Sequence, residues 1–255
     1  MGSGQACFPD LNDTGVLITG GASGIGAALV KGFAAQGCRV AILDIDAKAG
    51  AATVAGCAEA KHTPVLEVVD LRDAAATRTA VERAAERLGG IKTVVNNAAW
   101  DDRRDIEAVT PDYWDMSLGI NLRPAFFVTQ AALPWLKLSG SGAVINFSSV
   151  AFMMNLPDMP AYLTAKAGII GLTKGLAGKL GPDNIRVNAI LPGMVLTERQ
   201  KQLWVSDEAA EAHKARQCLK FSLTAEDMVG PCLFLASSIS GAVSAQSLIV
   251  DGGYF

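Results

Sequence analysis

The chain has 255 residues, half of them hydrophobic and 18% charged, which suits one α/β domain burying roughly 70–75% of the surface its unfolded form exposes. Its 22 basic and 25 acidic residues give a formal charge of −3 with no block of either sign, and this argues against a nucleic-acid partner. Five cysteines without a C-x-x-C pair, two separated histidines (His62 and His213) and no long apolar run leave no disulfide framework, metal site or membrane span to read, so a soluble cytoplasmic protein without a metal is expected.

Short β-branched runs alternate with helical stretches, the pattern of βαβ units around a mostly parallel sheet. The first run, 16–19 (VLIT), leads into the glycine loop Thr19-Gly20-Gly21-Ala22-Ser23-Gly24-Ile25-Gly26, which opens a helix over 24–36. A pyrophosphate could sit on the backbone N–H groups there, with Gly20, Ser23, Gly24, Ile25 and Gly26 around it. The next run, 39–43, ends on Asp44, about 20 residues beyond the loop, where a carboxylate can take both adenosine ribose hydroxyls. A 2′-phosphate would meet a like charge there, with no arginine in the glycine loop to offset it, so NAD is preferred over NADP.

Helices over 47–60 and 73–88 flank a third run, 65–69, followed by Asp70, which could receive the adenine amino group or cap the next helix. The fourth run, 93–96, ends in Asn96-Asn97-Ala98-Ala99, and Thr110-Pro111 starts a long helix over 111–137 in the usual N-cap and N1 positions. Asn121 falls inside that helix, where its amide competes with the backbone; bending the helix and holding a water is the functional reading. The runs 143–148, 185–190 and 247–250 complete seven, with helices over 161–180 and 224–236, the second started by a capping box of Thr224 and Asp227. All seven runs are continuous, as strands covered on both faces are. The charged stretch 197–220 interrupts this rhythm and reads as a helical insertion over a site, spanning about 194–220 in all.

Tyr162 and Lys166 are four apart at the head of the 161–180 helix and so emerge on one face. A nearby ammonium stabilises a phenolate and draws the phenol pKa down, which would let Tyr162 accept a substrate proton. Ser149 follows the fifth run, at the carboxyl edge where open α/β sheets hold their ligands. Asp102, Arg103 and Arg123 could make bidentate contacts to hydroxyls or a carboxylate.

These motifs in this order resemble the classical short-chain dehydrogenase/reductase family over about 12–255, including Pro192-Gly193 with Thr197 and the closing Val250-Asp251-Gly252-Gly253. The resemblance implies a single Rossmann-type doubly wound sheet of seven strands over 1–255. It also implies a catalytic set of Asn121, Ser149, Tyr162 and Lys166. In that set Tyr162 is the acid/base, Ser149 positions the reacting oxygen and Asn121 anchors a water. Lys166 binds the nicotinamide ribose and lowers the phenol pKa. NAD contacts are expected from the glycine loop, Asp44, Asp70, Asn97, Tyr162, Lys166, Pro192, Val195 and Thr197. Ala99 and Ala165 depart from the family's usual glycine and serine.

The stretches 100–115, 121–123 and 199–220 are similar to bacterial aldose 1-dehydrogenases of the D-xylose kind, which oxidise an anomeric hydroxyl to a lactone. Asp102, Arg103, Arg123, Ser149 and Met154 would then line the substrate pocket. Oxidation of a deoxy sugar acid, reduction of a ketone and a non-catalytic NAD-binding regulator are the alternatives. The helices 111–137 and 161–180 carry apolar residues on more than one face, and in the resembled family they pack, with the last strand, into a homotetramer.

Overall fold

Residues 6–255 are described here in a computed structural model. Seven parallel strands run β1 Gly15–Thr19, β2 Arg39–Asp44, β3 Val65–Val68, β4 Thr93–Asn96, β5 Ala143–Phe147, β6 Arg186–Pro192 and β7 Ser247–Val250. Their spatial order is β3-β2-β1-β4-β5-β6-β7. The helices are α1 Gly24–Ala35, α2 Ala47–Ala55, α3 Ala74–Leu88, α4 Pro111–Asn121, α5 Arg123–Leu138, α6 Pro160–Leu180, α7 Glu198–Leu203, α8 Asp207–Arg216 and α9 Val229–Ala236. This is the doubly wound, Rossmann-like sheet that the alternating runs predicted. Its strand order reverses between β1 and β4, and open α/β sheets place ligands at such a reversal.

The continuous apolar runs are explained by cover on both faces. One face sends Ile18, Ile42, Val95 and Ile145 against Leu29 and Phe33 of α1 and Leu233 of α9. The other sends Leu17, Leu43, Val94 and Val144 against α3, α5 and α6 through Val81, Val128 and Leu180. Alternate residues of each strand therefore serve opposite layers. Cover fails at the two edges, contrary to the expectation for all seven runs. Val68 of β3 is 52% exposed and Leu248 and Ile249 of β7 are 37% and 41% exposed.

Start signals behave as chemistry dictates. Thr110 accepts the Tyr113 N–H at 3.2 Å, and Asp227 reaches back to the Thr224 N–H at 2.7 Å; there the chain makes a 3-10 turn, Ala225–Met228, before α9. The expected helix over 111–137 is in fact two, α4 and α5, broken at Leu122, whose φ and ψ are −129° and −55°. Pro124, in the first turn of α5, has no N–H to give the Ile120 carbonyl four residues back, so the hydrogen-bond ladder is interrupted there. The helix expected over 47–60 stops at Ala55, ahead of Gly56.

Candidate active site

The glycine loop crosses the switch point between β1 and β4. Gly20 has φ +67°, and a Cβ on it would lie 2.7 Å from the Ala98 Cα, while a Cβ on Gly26 would lie 1.8 Å from the Gly20 carbonyl oxygen. Both positions therefore demand glycine. Asn97 locks the loop to β4, donating from Nδ2 to the carbonyls of Thr19 and Gly20, each at 3.1 Å. Ser23 occupies the N-cap of α1 with no side-chain cap bond, so the first-turn N–H groups are left for an anion. Beside them opens a cleft of about 610 Å³ lined by Gly20, Ser23, Ile25, Gly26, Asp44, Asp70, Asn97, Tyr162 and Thr197. Gly24 is not on its wall. A Cβ there would instead stand 3.4 Å from Thr197 Cγ2, where the loop meets the start of α7.

Asp44 is held by two backbone donors, Ala22 N–H at 2.9 Å and Asp46 N–H at 3.0 Å, and Asp46 rather than Asp44 caps α2. Asp70 accepts Arg72 Nε at 3.0 and 2.9 Å on its two oxygens. That guanidinium holds the Asp70 carboxyl below the usual carboxylate range. Arg72 is thus an arginine in the cleft, outside the glycine loop, whose charge is already engaged. Asp73, not Asp70, caps α3.

A second cavity of about 310 Å³ adjoins the first and is lined by Ser149, Tyr162, Lys166, Pro192, Val195, Arg103 and Met154 among others. Ser149 caps a short 3-10 turn, accepting the Ala151 N–H at 3.1 Å. The preceding serine is structural, with Ser148 Oγ donating to the Lys166 carbonyl at 2.7 Å. Lys166 is buried, donates from Nζ to the Phe147 carbonyl at 3.0 Å, and stands 5.6 Å from the centroid of the Tyr162 ring. Burial brings its ammonium down to about 8, against an opposing pull from Asp101. The Tyr162 phenol is pushed well above its usual range, first by burial and then by Asp101, with Ser149 pulling the other way. This corrects the expected lowering by Lys166. Within the protein alone, loss of hydration dominates, and the Lys166 ammonium, 5.6 Å from the ring centroid, is not among the groups that lower the phenol.

Asn121 also differs from expectation. It ends α4, and its side chain accepts the Trp100 N–H at 2.7 Å while donating to the carbonyls of Trp100 and Ser117, each at 3.0 Å. It staples the loop after β4 in place. Asp102 pairs with Arg104 at 3.3 Å, and Arg123 lies over the Phe127 ring at 5.3 Å. Neither is among the residues lining the two cavities.

A family model described as "Enoyl-(Acyl carrier protein) reductase" matches residues 20–255. The chain belongs to the short-chain dehydrogenase/reductase family. This oxidoreductase is 57% identical over 249 residues to the "Probable galactose dehydrogenase GalD" of Rhizobium meliloti, covering 97% of each chain. It is 41% identical over 250 residues to the D-xylose 1-dehydrogenase of Caulobacter vibrioides, covering 98% of this chain and 99% of the other. Among solved structures, carveol dehydrogenase from Mycobacterium avium in complex with NAD superposes with a TM-score of 0.89 at 27% identity, over 96% and 99% of the two chains. The family uses nicotinamide cofactors.

Two residues of this dehydrogenase join the site without having been singled out from sequence. Asp101 lines both cavities, receives Arg199 Nε at 3.4 Å and is hydrogen-bonded by Gln200 Nε2, so it ties the loop after β4 to α7. His213 of α8 lines the second cavity. In the stretch WDDRRD no periodicity separates Asp101 from Asp102, and His213 sits in a charged helix that reads as solvated surface.

Proposed function

We propose that this dehydrogenase oxidises an aldose at its anomeric hydroxyl to the lactone, with NAD accepting the hydride. The observation that carries the reading is the meeting of Ser149, Tyr162 and Lys166 in a cavity adjoining a glycine-lined cleft. Two whole-length relatives carry sugar dehydrogenase names. The cleft fits the cofactor because Gly20 and Gly26 leave room that any Cβ would take, and because Asp44 presents a carboxylate near the second strand's end. Asp44 favours NAD over NADP by repelling a 2′-phosphate, and Arg72 is engaged with Asp70.

When bound, NAD supplies the hydride acceptor. Ser149 Oγ holds the substrate oxygen, and Tyr162 Oη takes the anomeric hydroxyl proton as general base, a role worth about 10²–10⁴-fold in rate. Because burial disfavours the phenolate, that state depends on positive charge nearby, which the Lys166 ammonium supplies at the ring. Asn121 fixes the Trp100 backbone on the cleft wall. Arg103, which lines the second cavity with its Nε unpaired among the described residues, favours as a second reading a sugar acid whose carboxylate it would hold.

A homotetramer is part of the same proposal, supported by exposed Phe126 on α5 and exposed Leu248 and Ile249 on β7. The five cysteines are free, which suits a reducing compartment such as the cytoplasm, and no helix among the described residues is long and apolar enough to cross a membrane. The experiment is cofactor reduction with NAD and NADP across aldoses, sugar acids and secondary alcohols, with lactone identified as product. Turnover of secondary alcohols alone would overturn the sugar reading.

A further inference from the structure

We propose that His213 is a specificity-determining residue, whose Nε2 hydrogen-bonds an aldose hydroxyl away from the anomeric carbon; this rests on the sugar reading above. The Nε2 atom is buried and has no hydrogen-bond partner among the described residues, on a residue that lines the cavity holding Ser149 and Tyr162. An unpaired buried polar nitrogen is costly, and on a cavity-lining residue a ligand hydroxyl that pairs with it relieves that cost.

The imidazole is held in one plane. It stacks on Tyr254 with ring centroids 4.2 Å apart and an interplanar angle of 9°, and the Arg216 guanidinium lies 4.4 Å from the same tyrosine ring. The backbone after α8 is bonded to the segment before Tyr254, with Cys218 N–H donating to the Gly253 carbonyl and Leu219 N–H to that of Gly252, both at 2.9 Å. The closing Val250-Asp251-Gly252-Gly253 motif thereby fixes the recognition ring.

The ligand chemistry follows from charge and surroundings. Burial and the nearby Arg216 hold the imidazole below its usual range, Asp251 opposing, so the ring is neutral at physiological pH. A neutral imidazole nitrogen can donate or accept according to tautomer, and a hydroxyl suits either. Much of the remaining cavity wall is apolar, including Val150, Met154, Met159 and Val205. A few polar groups on an apolar wall decide which isomer fits.

The test is steady-state kinetics of wild type, His213→Phe and His213→Gln with D-galactose, D-xylose and a set of singly deoxygenated D-galactoses. His213→Phe keeps a ring against Tyr254 and removes the nitrogens; His213→Gln returns an amide near the Nε2 position. The expected result is a KM for the preferred aldose raised about 10- to 100-fold in His213→Phe, with kcat within about threefold and the cofactor KM unchanged. His213→Gln recovers most of the loss. One deoxy sugar should be penalised by wild type and not further penalised by His213→Phe. Aldose turnover with unchanged constants in His213→Phe, or in His213→Leu if the phenylalanine variant does not fold, overturns the assignment alone. Absence of wild-type turnover with every aldose overturns the sugar reading and this assignment with it.

Discussion

Lys166 Nζ stands 5.6 Å from the Tyr162 ring centroid while its hydrogen bond goes to the Phe147 carbonyl at 3.0 Å. The charge that could stabilise a phenolate is therefore fastened to β5 and acts on Tyr162 through space. Positioning and proton transfer fall to different atoms, and substitutions can separate them.

Tyr162→Phe keeps the ring and removes the oxygen. We expect turnover to fall by about 10²–10⁴-fold with NAD affinity within a few-fold of wild type. Single-turnover kinetics alongside a fluorescence titration of bound cofactor check this. More than about a tenth of wild-type kcat would remove Tyr162 from the acid–base role.

Lys166→Met should trade activity for stability. The ammonium falls from an ordinary 10.5 to about 8 because it is buried, so below pH 8 the folded protein carries a charge that the unfolded chain hydrates better. That difference corresponds to about 3 kcal/mol. Between pH 8 and 10.5 the unfolded state binds more protons at this site, so wild-type stability rises relative to the variant. Shifts at other groups common to both proteins cancel. Thermal melting should show the variant's advantage shrinking as pH rises through that window, and a constant gap would contradict the buried charge.

Asp44→Ala removes the carboxylate that accepts the Ala22 and Asp46 N–H groups. The ratio of kcat/KM for NAD to that for NADP should drop at least tenfold, with some loss of melting temperature from the two freed donors. Equal loss with both cofactors would show that Asp44 shapes the loop without reading the ribose.

Asp101→Asn removes a negative charge that raises the proton affinity of both Tyr162 and Lys166. The apparent pKa of the kcat/KM profile for oxidation should shift to lower pH. The sign follows because a carboxylate favours the protonated phenol and the ammonium alike. Loss of the Arg199 pair should raise the aldose KM as well. An unshifted profile with a raised KM would leave Asp101 only its tie to α7.

The parallel sheet was legible because continuous apolar runs have one explanation in a chain whose helices cover both faces, and all seven runs became strands. The cofactor loop was equally legible, since its glycines answer to contacts of 1.8 and 2.7 Å that no other residue permits. The break at Leu122 was less visible. Pro124 was there to announce it, but the apolar pattern runs on through both helices. What could not be read was which of several charges on irregular chain faces the cavity. Asp101 and Asp102 are neighbours, and the contacts that tell them apart come from far along the chain: Asn121 holds Trp100, and Arg199 and Gln200 meet Asp101.

Asn96 of β4 and Asn146 of β5 are opposite one another in register, joined at 2.9 Å, with Asn96 also reaching Thr129 of α5 and Asn146 reaching Thr173 of α6. A slip of either strand by one residue would turn its amide into the apolar layer formed with α1 and α9, where no such partner is waiting. The pair thus acts as a keyway between the strands that lead to Asn97, the cofactor loop's neighbour, and to Ser149. Replacing both amides with leucine could leave the melting temperature near wild type, yet it would remove the feature that forbids the wrong alignment, and with it the guarantee that Asn97 and Ser149 arrive at the same depth.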